Sequence, residues 1–129
     1  MKAGMDLRVT IRPESSGDYV LIRKVNDLAF GQTTEGALIE KLRLNPGFND
    51  HLSLVAEVDG QVIGHILFFP ISIRGDSKTF PSLALAPMAV LPEFQKKGIG
   101  GQLIIRGLAV AKEYGFRSVI VLGHQDYYP

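Results

Sequence analysis

Glycines set behind a pair of lysines are the part of this 129-residue chain best suited to chemistry. Gly98, Gly100 and Gly101 follow Lys96 and Lys97 in the run Gln95-Lys96-Lys97-Gly98-Ile99-Gly100-Gly101. Ahead of it lies Leu85-Ala86-Pro87-Met88-Ala89-Val90-Leu91, an apolar strand broken by a proline, and then a Pro92-Glu93-Phe94 turn. Behind it, the spacing of Leu103, Ile104, Leu108 and Ala111 predicts a helix. Glycines lack the Cβ that would keep a ligand off the backbone. The free N–H groups of a helix's first turn, at the positive end of its dipole, then face that ligand. The lysines add positive charge. The guest that fits is a phosphate or pyrophosphate.

Three phosphate-binding patterns compete for these glycines. A dinucleotide fingerprint, G-x-G-x-x-G, needs its third glycine where Leu103 stands, and the triphosphate loop G-x-x-x-x-G-K-[ST] is absent. What remains is Q-x-x-G-x-G, written by Gln95, Gly98 and Gly100. With the preceding Leu-Ala-Pro-Met-Ala-Val-Leu-Pro-Glu and the following helix, it resembles the pyrophosphate loop of the GNAT superfamily of N-acetyltransferases, whose donor is acetyl-coenzyme A. The competing reading is a glycine-rich helix start with no ligand. Other segments resemble a YhbS-like branch of that superfamily: Asn26-Asp27-Leu28-Ala29-Phe30-Gly31, Glu40-Lys41-Leu42-Arg43, Val62-Ile63-Gly64-His65-Ile66-Leu67-Phe68 and Gly123-His124-Gln125-Asp126-Tyr127-Tyr128-Pro129. The resemblance covers nearly the whole chain. It departs at the end, where such proteins continue into two more strands, so a domain truncated relative to the family is expected.

The resemblance implies direct attack of an amine on the thioester of acetyl-coenzyme A, with no acyl-enzyme. A chain with no cysteine fits that route. By the same resemblance, the pyrophosphate sits on the loop from Gln95 through Lys96, Lys97, Gly98, Ile99 and Gly100 to Gly101. The pantetheine arm pairs with backbone around Met88, Ala89 and Val90, where Pro87 marks a bulge. A backbone N–H near Ala89 or Val90 would steady the developing oxyanion. Tyr128 stands where the family often places a tyrosine general acid; Tyr127 is its alternate, and a packed aromatic pair is the other reading. For the general base the candidates are His124, Glu57, His65 and Asp126, or a water chain. His124 is preferred because its unperturbed pKa suits proton transfer near neutrality. His65, among apolar strand residues, reads more readily as a packed histidine. The turn at Phe30, Gly31 and Thr33 is expected to border the acceptor pocket. Phe68 and Phe69 read more readily as core than as apolar wall of that pocket.

These residues need a scaffold. Leu7 to Arg12 alternates as a half-buried strand. Ser15, Ser16 and Asp18 can cap a helix that ends at Gly31, and Thr33 or Thr34 can cap a second that stops at Asn45-Pro46-Gly47. Leu52–Val58 and Gln61–Phe69 flank Asp59-Gly60, the signal of a tight type I′ hairpin. Leu83–Val90 is the next strand, Gln102–Tyr114 a helix closed by Gly115, and Arg117–Leu122 a short apolar strand. Strand, helix and strand read as a right-handed crossover. The expected fold class is α/β (α+β). It is a GNAT-like mixed, mostly antiparallel sheet with helices on both faces, and one parallel unit forms the wedge for acetyl-coenzyme A.

Composition sets outer bounds. The length suits one domain. A net charge of +1 argues against a nucleic-acid partner, and no run is apolar enough to span a membrane. Without cysteine there are no disulfides or thiolate metal sites, and no metal is expected. The first residues lack the apolar core of a signal peptide, so a cytoplasmic protein is expected. The expected acceptor is a small-molecule or peptide amine, and nothing in the sequence identifies it. A coenzyme A-binding sensor or regulatory module without catalysis is the rival function. An uncovered strand edge makes a homodimer the expected form of self-association.

Overall fold

The structure is a computed structural model that describes residues 8–121. Among these, five strands form one sheet in the order β1-β2-β3-β4-β5. They are β1 (Val9–Pro13), β2 (Ser53–Val58), β3 (Gln61–Arg74), β4 (Thr79–Val90) and β5 (Val119–Val121). Neighbours are antiparallel except β4 and β5, which run parallel with Leu83, Ala84 and Leu85 opposite Val119, Ile120 and Val121. Helices α1 (Tyr19–Phe30) and α2 (Thr34–Arg43) follow β1, and α3 (Ile99–Glu113) links β4 to β5. The mixed sheet and its single parallel crossover match the expected fold.

Local chemistry sets the element ends. The Asp18 carboxylate accepts the Ser15 N–H at 2.8 Å and ties the turn that starts α1. Gly31, at φ 67°, ends α1 and donates its N–H to Asp27 at 3.0 Å. Asp59 and Gly60 hold φ of 52° and 77°, the left-handed pair a type I′ turn demands. The β3–β4 hairpin is longer than the sequence indicated, because β4 begins at Thr79 rather than Leu83. Thr79, Phe80 and Pro81 at its outer end are exposed, so β4 shows no apolar alternation there, although Ile71 and Ile73 of β3 alternate with exposed Ser72 and Arg74.

The sheet is covered on both faces. Gly64 faces Leu103 of α3, and its neighbour His65 turns to Asn26 of α1. Phe68, fully buried, packs on Gly107 of α3, where any Cβ would overlap its ring. Phe68 is therefore core, and Phe69 sits half-buried beside Gly47 on the α1–α2 side. Arg23 joins the two helices of that side, bonding Asp27 at 3.0 Å and Glu40 at 2.7 Å. No helix among the described residues is long and apolar enough to cross a membrane.

Candidate active site

The site begins with a one-residue slip in β4. Leu85 pairs with Phe68 and Met88 with Ile66, so Ala86 and Pro87 together face Leu67 alone. This is the bulge that Pro87 foretold, since proline has no N–H for the ladder. The slip inverts which backbone groups face which neighbour. Before it, the Leu83 N–H donates to Ser118 at 3.2 Å, on the β5 side. After it, the Leu91 N–H donates to Ile63 at 2.8 Å, on the β3 side. By strand alternation Ala89 also faces β3, while Met88 and Val90 turn their N–H and C=O groups away from it. The Val90 carbonyl confirms this direction, because it accepts the Gln95 side-chain amide at 2.9 Å. The pairing of β4 with the described part of β5 ends at Leu85, short of Met88 and Val90.

The glycine loop supplies the second wall. Lys96 and Gly98 both take left-handed φ, 63° and 82°. A lysine there is uncommon and strained, and such strain concentrates at functional sites. The Gln95 N–H is held by Pro92 at 3.3 Å, so the first turn of α3 is where free amides begin. Gln102 is the residue whose N–H first reaches back, to Gly98 at 3.1 Å. The amides of Ile99, Gly100 and Gly101 precede it and have no acceptor within the helix.

A cavity of about 470 Å³ joins these walls. It brings together Met88, Ala89, Val90, Gln95, Lys96, Gly98, Ile99, Gly100 and, from the end of α1, Phe30. Lys97 and Gly101 are exposed beside it, and Gly31 and Thr33 cap the facing helix ends without lining it. Ala29 and Phe94 also line it, although neither was singled out as a site residue. A larger cavity, about 570 Å³ near Tyr19, Arg43 and Phe116, includes neither the start of α3 nor the loop from Gln95 to Gly101. His124, Asp126, Tyr127 and Tyr128 lie outside the described residues.

Two proposed bases have structural partners. Glu57 is bonded at 2.7 Å to Arg12, which also binds Asp18 at 2.7 and 2.9 Å. Arg12 holds the Asp18 carboxyl down at about pKa 2. His65 is fully buried, and burial, then the charge of Arg43, lowers its pKa to about 3. It is neutral at any ordinary pH and sealed from the cavity's solvent. Its Nε2 lies 2.9 Å from Ser53 Oγ, which donates its own proton to Glu14 at 2.5 Å. Glu14 is paired with Arg43 at 3.0 and 3.1 Å. This chain of Arg43, Glu14, Ser53, His65 and Asn26 escaped the sequence analysis. Its one local signal was polar residues on the apolar faces of α1 and β2.

Residues 22–127 match the Acetyltransferase (GNAT) family. This chain belongs to that family. It is 40% identical over 108 residues to the uncharacterized N-acetyltransferase YjhQ of Escherichia coli K12, covering 84% of this chain and 60% of YjhQ. It is 34% identical over 125 residues to the uncharacterized N-acetyltransferase YhbS of the same organism, covering 96% of this chain and 70% of YhbS. The chain thus spans less than two thirds of the first relative. The crystal structure of a GNAT family acetyltransferase from Brucella melitensis in complex with acetyl-CoA aligns at TM-score 0.81 and 41% identity, covering 95% of this chain and 80% of that one. The structure of Escherichia coli YhbS in complex with CoA aligns at TM-score 0.84 and 31% identity, covering 99% and 69%. The family and its YhbS-like branch were therefore correctly read from the glycine loop and the flanking segments.

Proposed function

We propose that this GNAT chain is an acetyl-coenzyme A-dependent N-acetyltransferase that passes the acetyl group directly to a primary amine of a small molecule or peptide. One observation carries the reading. The free amides of Ile99, Gly100 and Gly101 open beside the same cavity that the outward-turned Met88 and Val90 reach from β4. The residues fit the donor: an anion needs those amides, and an extended amide-bearing arm needs an unpaired strand segment. Similar proteins hold acetyl-CoA or CoA in their structures.

Acetyl-coenzyme A supplies a thioester carbonyl for the amine to attack and a thiol to leave. The amides of the first turn of α3 hold pyrophosphate oxygens, and Lys96 and Lys97 offset their charge. Gln95 acts on the protein side: it clamps the loop to Val90 and so fixes the spacing of the two walls. The Val90 amide, not that of Ala89, is turned to receive the developing oxyanion. Among the described lining residues Lys96 is the sole ionisable group, so proton transfer falls to residues outside them or to water. We assign thiolate protonation to Tyr128 and amine deprotonation to His124, with a water chain as the alternative base. Phe30, Gly31 and Thr33 border the acceptor side. The reading extends to a cytoplasmic enzyme needing no metal, membrane or nucleic acid, able to self-associate through β5.

The test is thiol release from acetyl-coenzyme A against pooled primary amines and peptides. Release that depends on one pool component supports the reading. Tight coenzyme A binding with no release for any pool replaces it with the sensor function. Absence of coenzyme A binding overturns the site itself.

A further inference from the structure

We propose that the cavity of about 570 Å³ around Arg43 is a second binding site, for a small carboxylate carried on a flat apolar body, an aryl carboxylate. The inference goes beyond the acetyltransferase reading and does not depend on it. It starts from how this chain uses its arginines. Arg12 bridges two carboxylates. Its Nε donates to Glu57 at 2.7 Å, and its two terminal nitrogens hold Asp18 at 2.7 and 2.9 Å. Arg23 also reaches two, Asp27 at 3.0 Å and Glu40 at 2.7 Å. Arg43 reaches one. Its Nε and Nη2 grip Glu14 at 3.0 and 3.1 Å, and its Nη1 has no acceptor among the described residues. A guanidinium carries five N–H donors, of which Glu14 takes two. The terminal edge of Nη1 and Nη2 therefore keeps two parallel N–H groups, and it is this edge that holds Asp18 in Arg12.

That edge opens on the cavity. The Arg43 side chain is 11% exposed, and Arg43 is not among the described residues that bury a polar side-chain atom without a partner. Nη1 therefore keeps contact with solvent, and the cavity is the opening that Arg43 lines. The guanidinium is also held in direction. It lies over the Tyr19 ring at 3.9 Å, with the Phe48 ring 5.8 Å away. A fork fixed in this way binds a carboxylate at a smaller ordering cost. Asn49, on the same wall, accepts the His51 N–H through Oδ1 at 2.9 Å, which leaves its Nδ2 as a second donor. Phe48, Phe116, Pro46 and Pro70 add flat apolar surface for the body of the ligand. Two carboxylates stand against an anion here. Glu14 is already answered by the Arg43 fork and the Ser53 hydroxyl. Asp50 is 64% exposed and 3.8 Å from His51, so water and salt screen it. A single two-pronged edge matches the two oxygens of a carboxylate. Tyr19 and Phe30 stand at opposite ends of α1, about 16 Å apart by helical rise, so this site is separate from the cavity at the glycine loop.

The test titrates the ¹⁵N-labelled full chain with benzoate, benzamide and benzylamine, and follows the Arg43 Nε–H and the Phe48 and Asn49 amides by NMR. Benzoate should shift these signals saturably and bind roughly tenfold tighter than benzamide, the margin of a charge-assisted bond over a neutral one. The Gly98 and Gly100 amides should stay silent to benzoate. Arg43→Lys keeps a charge beside Glu14 but loses the two-pronged edge, and should weaken benzoate roughly tenfold or more. A folded Arg43→Lys chain that binds benzoate like the parent overturns the proposal. The three-ligand comparison runs on the parent chain, so it decides the matter even where that variant does not fold. Benzylamine as the tightest ligand overturns the proposal and gives the cavity to Asp50 as a cation site. Benzamide binding as tightly as benzoate, shifts confined to Gly98 and Gly100, or no saturable shift at millimolar benzoate overturn it as well.

Discussion

Adding one methyl group at Gly100 should separate ligand binding from folding. Gly100 has a helical backbone, and a Cβ built there meets Met88 Cε at 3.4 Å and Sδ at 3.8 Å, ordinary contact distances. The fold therefore accepts Gly100→Ala. A glycine-to-alanine change in a helix adds up to about 1 kcal/mol, less in a first turn, so stability should hold or rise slightly. That Cβ also occupies the gap between the loop and Met88, on the cavity side of the free amides. Each charge-assisted bond displaced there is worth about 1.5–3 kcal/mol. The coenzyme A Kd should rise roughly 10- to 150-fold for one lost bond, and further for Gly100→Val. Gly98→Ala is the contrasting variant. Nothing lies within 4 Å of its Cβ, but φ is +82°, so it loses stability, about 1–2 kcal/mol, along with affinity. Calorimetry with coenzyme A and thermal melts on the same preparations measure both quantities. A folded Gly100→Val chain that binds coenzyme A as tightly as the parent would refute the assignment of the pyrophosphate to this helix start.

Other outcomes follow from packing and titration. Gly107→Ala drives a Cβ into the Phe68 ring and should cost about 1–3 kcal/mol in urea melts despite the better helix former; an unchanged midpoint would contradict the packing. His65 titrates near 6.5 unfolded but at about 3 folded, so its contribution is whole above pH 6.5 and lost as pH falls toward 3. Between pH 7 and 5 that loss is about 2 kcal/mol, and His65→Gln should flatten the slope; an equal slope in the variant counts against it. Asp18, lowered from 3.8 to about 2 by Arg12, contributes above pH 3.8 and loses its share as pH falls through about 2, at most about 2 kcal/mol, which Asp18→Asn should remove. Tyr128→Phe should cut turnover roughly 10²-fold with donor binding unchanged, and a variant at parent rate ends the general-acid assignment.

What the sequence disclosed was whatever chemistry is local. Gly31, Gly60, Gly98 and Gly115 all take positive φ, so turn and cap positions could be read residue by residue. Pro87 marked the bulge because a missing N–H is a property of one residue, and the parallel crossover followed from the order of short apolar runs. The outer hairpin was under-read for the converse reason. Residues 72–74 pair with 79–81 but are mostly exposed, and Thr79, Phe80 and Pro81 offer no apolar period to read. Gln95 belonged to a recognised motif, yet its spacing did not reveal that its side chain binds its own strand end rather than facing a ligand.

The buried polar chain shows the limit in its clearest form. Glu14, Asn26, Arg43, Ser53 and His65 come from five separate segments, and in the sequence each has a plain local reading as cap, helix, or strand residue. Only the folded arrangement makes their roles mutually dependent. Arg43 fixes Glu14, Glu14 fixes the Ser53 proton, Ser53 fixes the His65 tautomer, and His65 fixes the direction of the Asn26 amide. A neutral histidine is thereby used as a structural relay, in keeping with the packed reading its apolar strand neighbours suggested. The same logic separates the two halves of the site. The cavity walls from β4 and the glycine loop come from one continuous stretch, Met88 to Gly100, and were legible in the sequence. The wall from α1 depends on that helix lying across β3 and β4, so Ala29 and Phe30 reach the cavity only through contacts between distant segments.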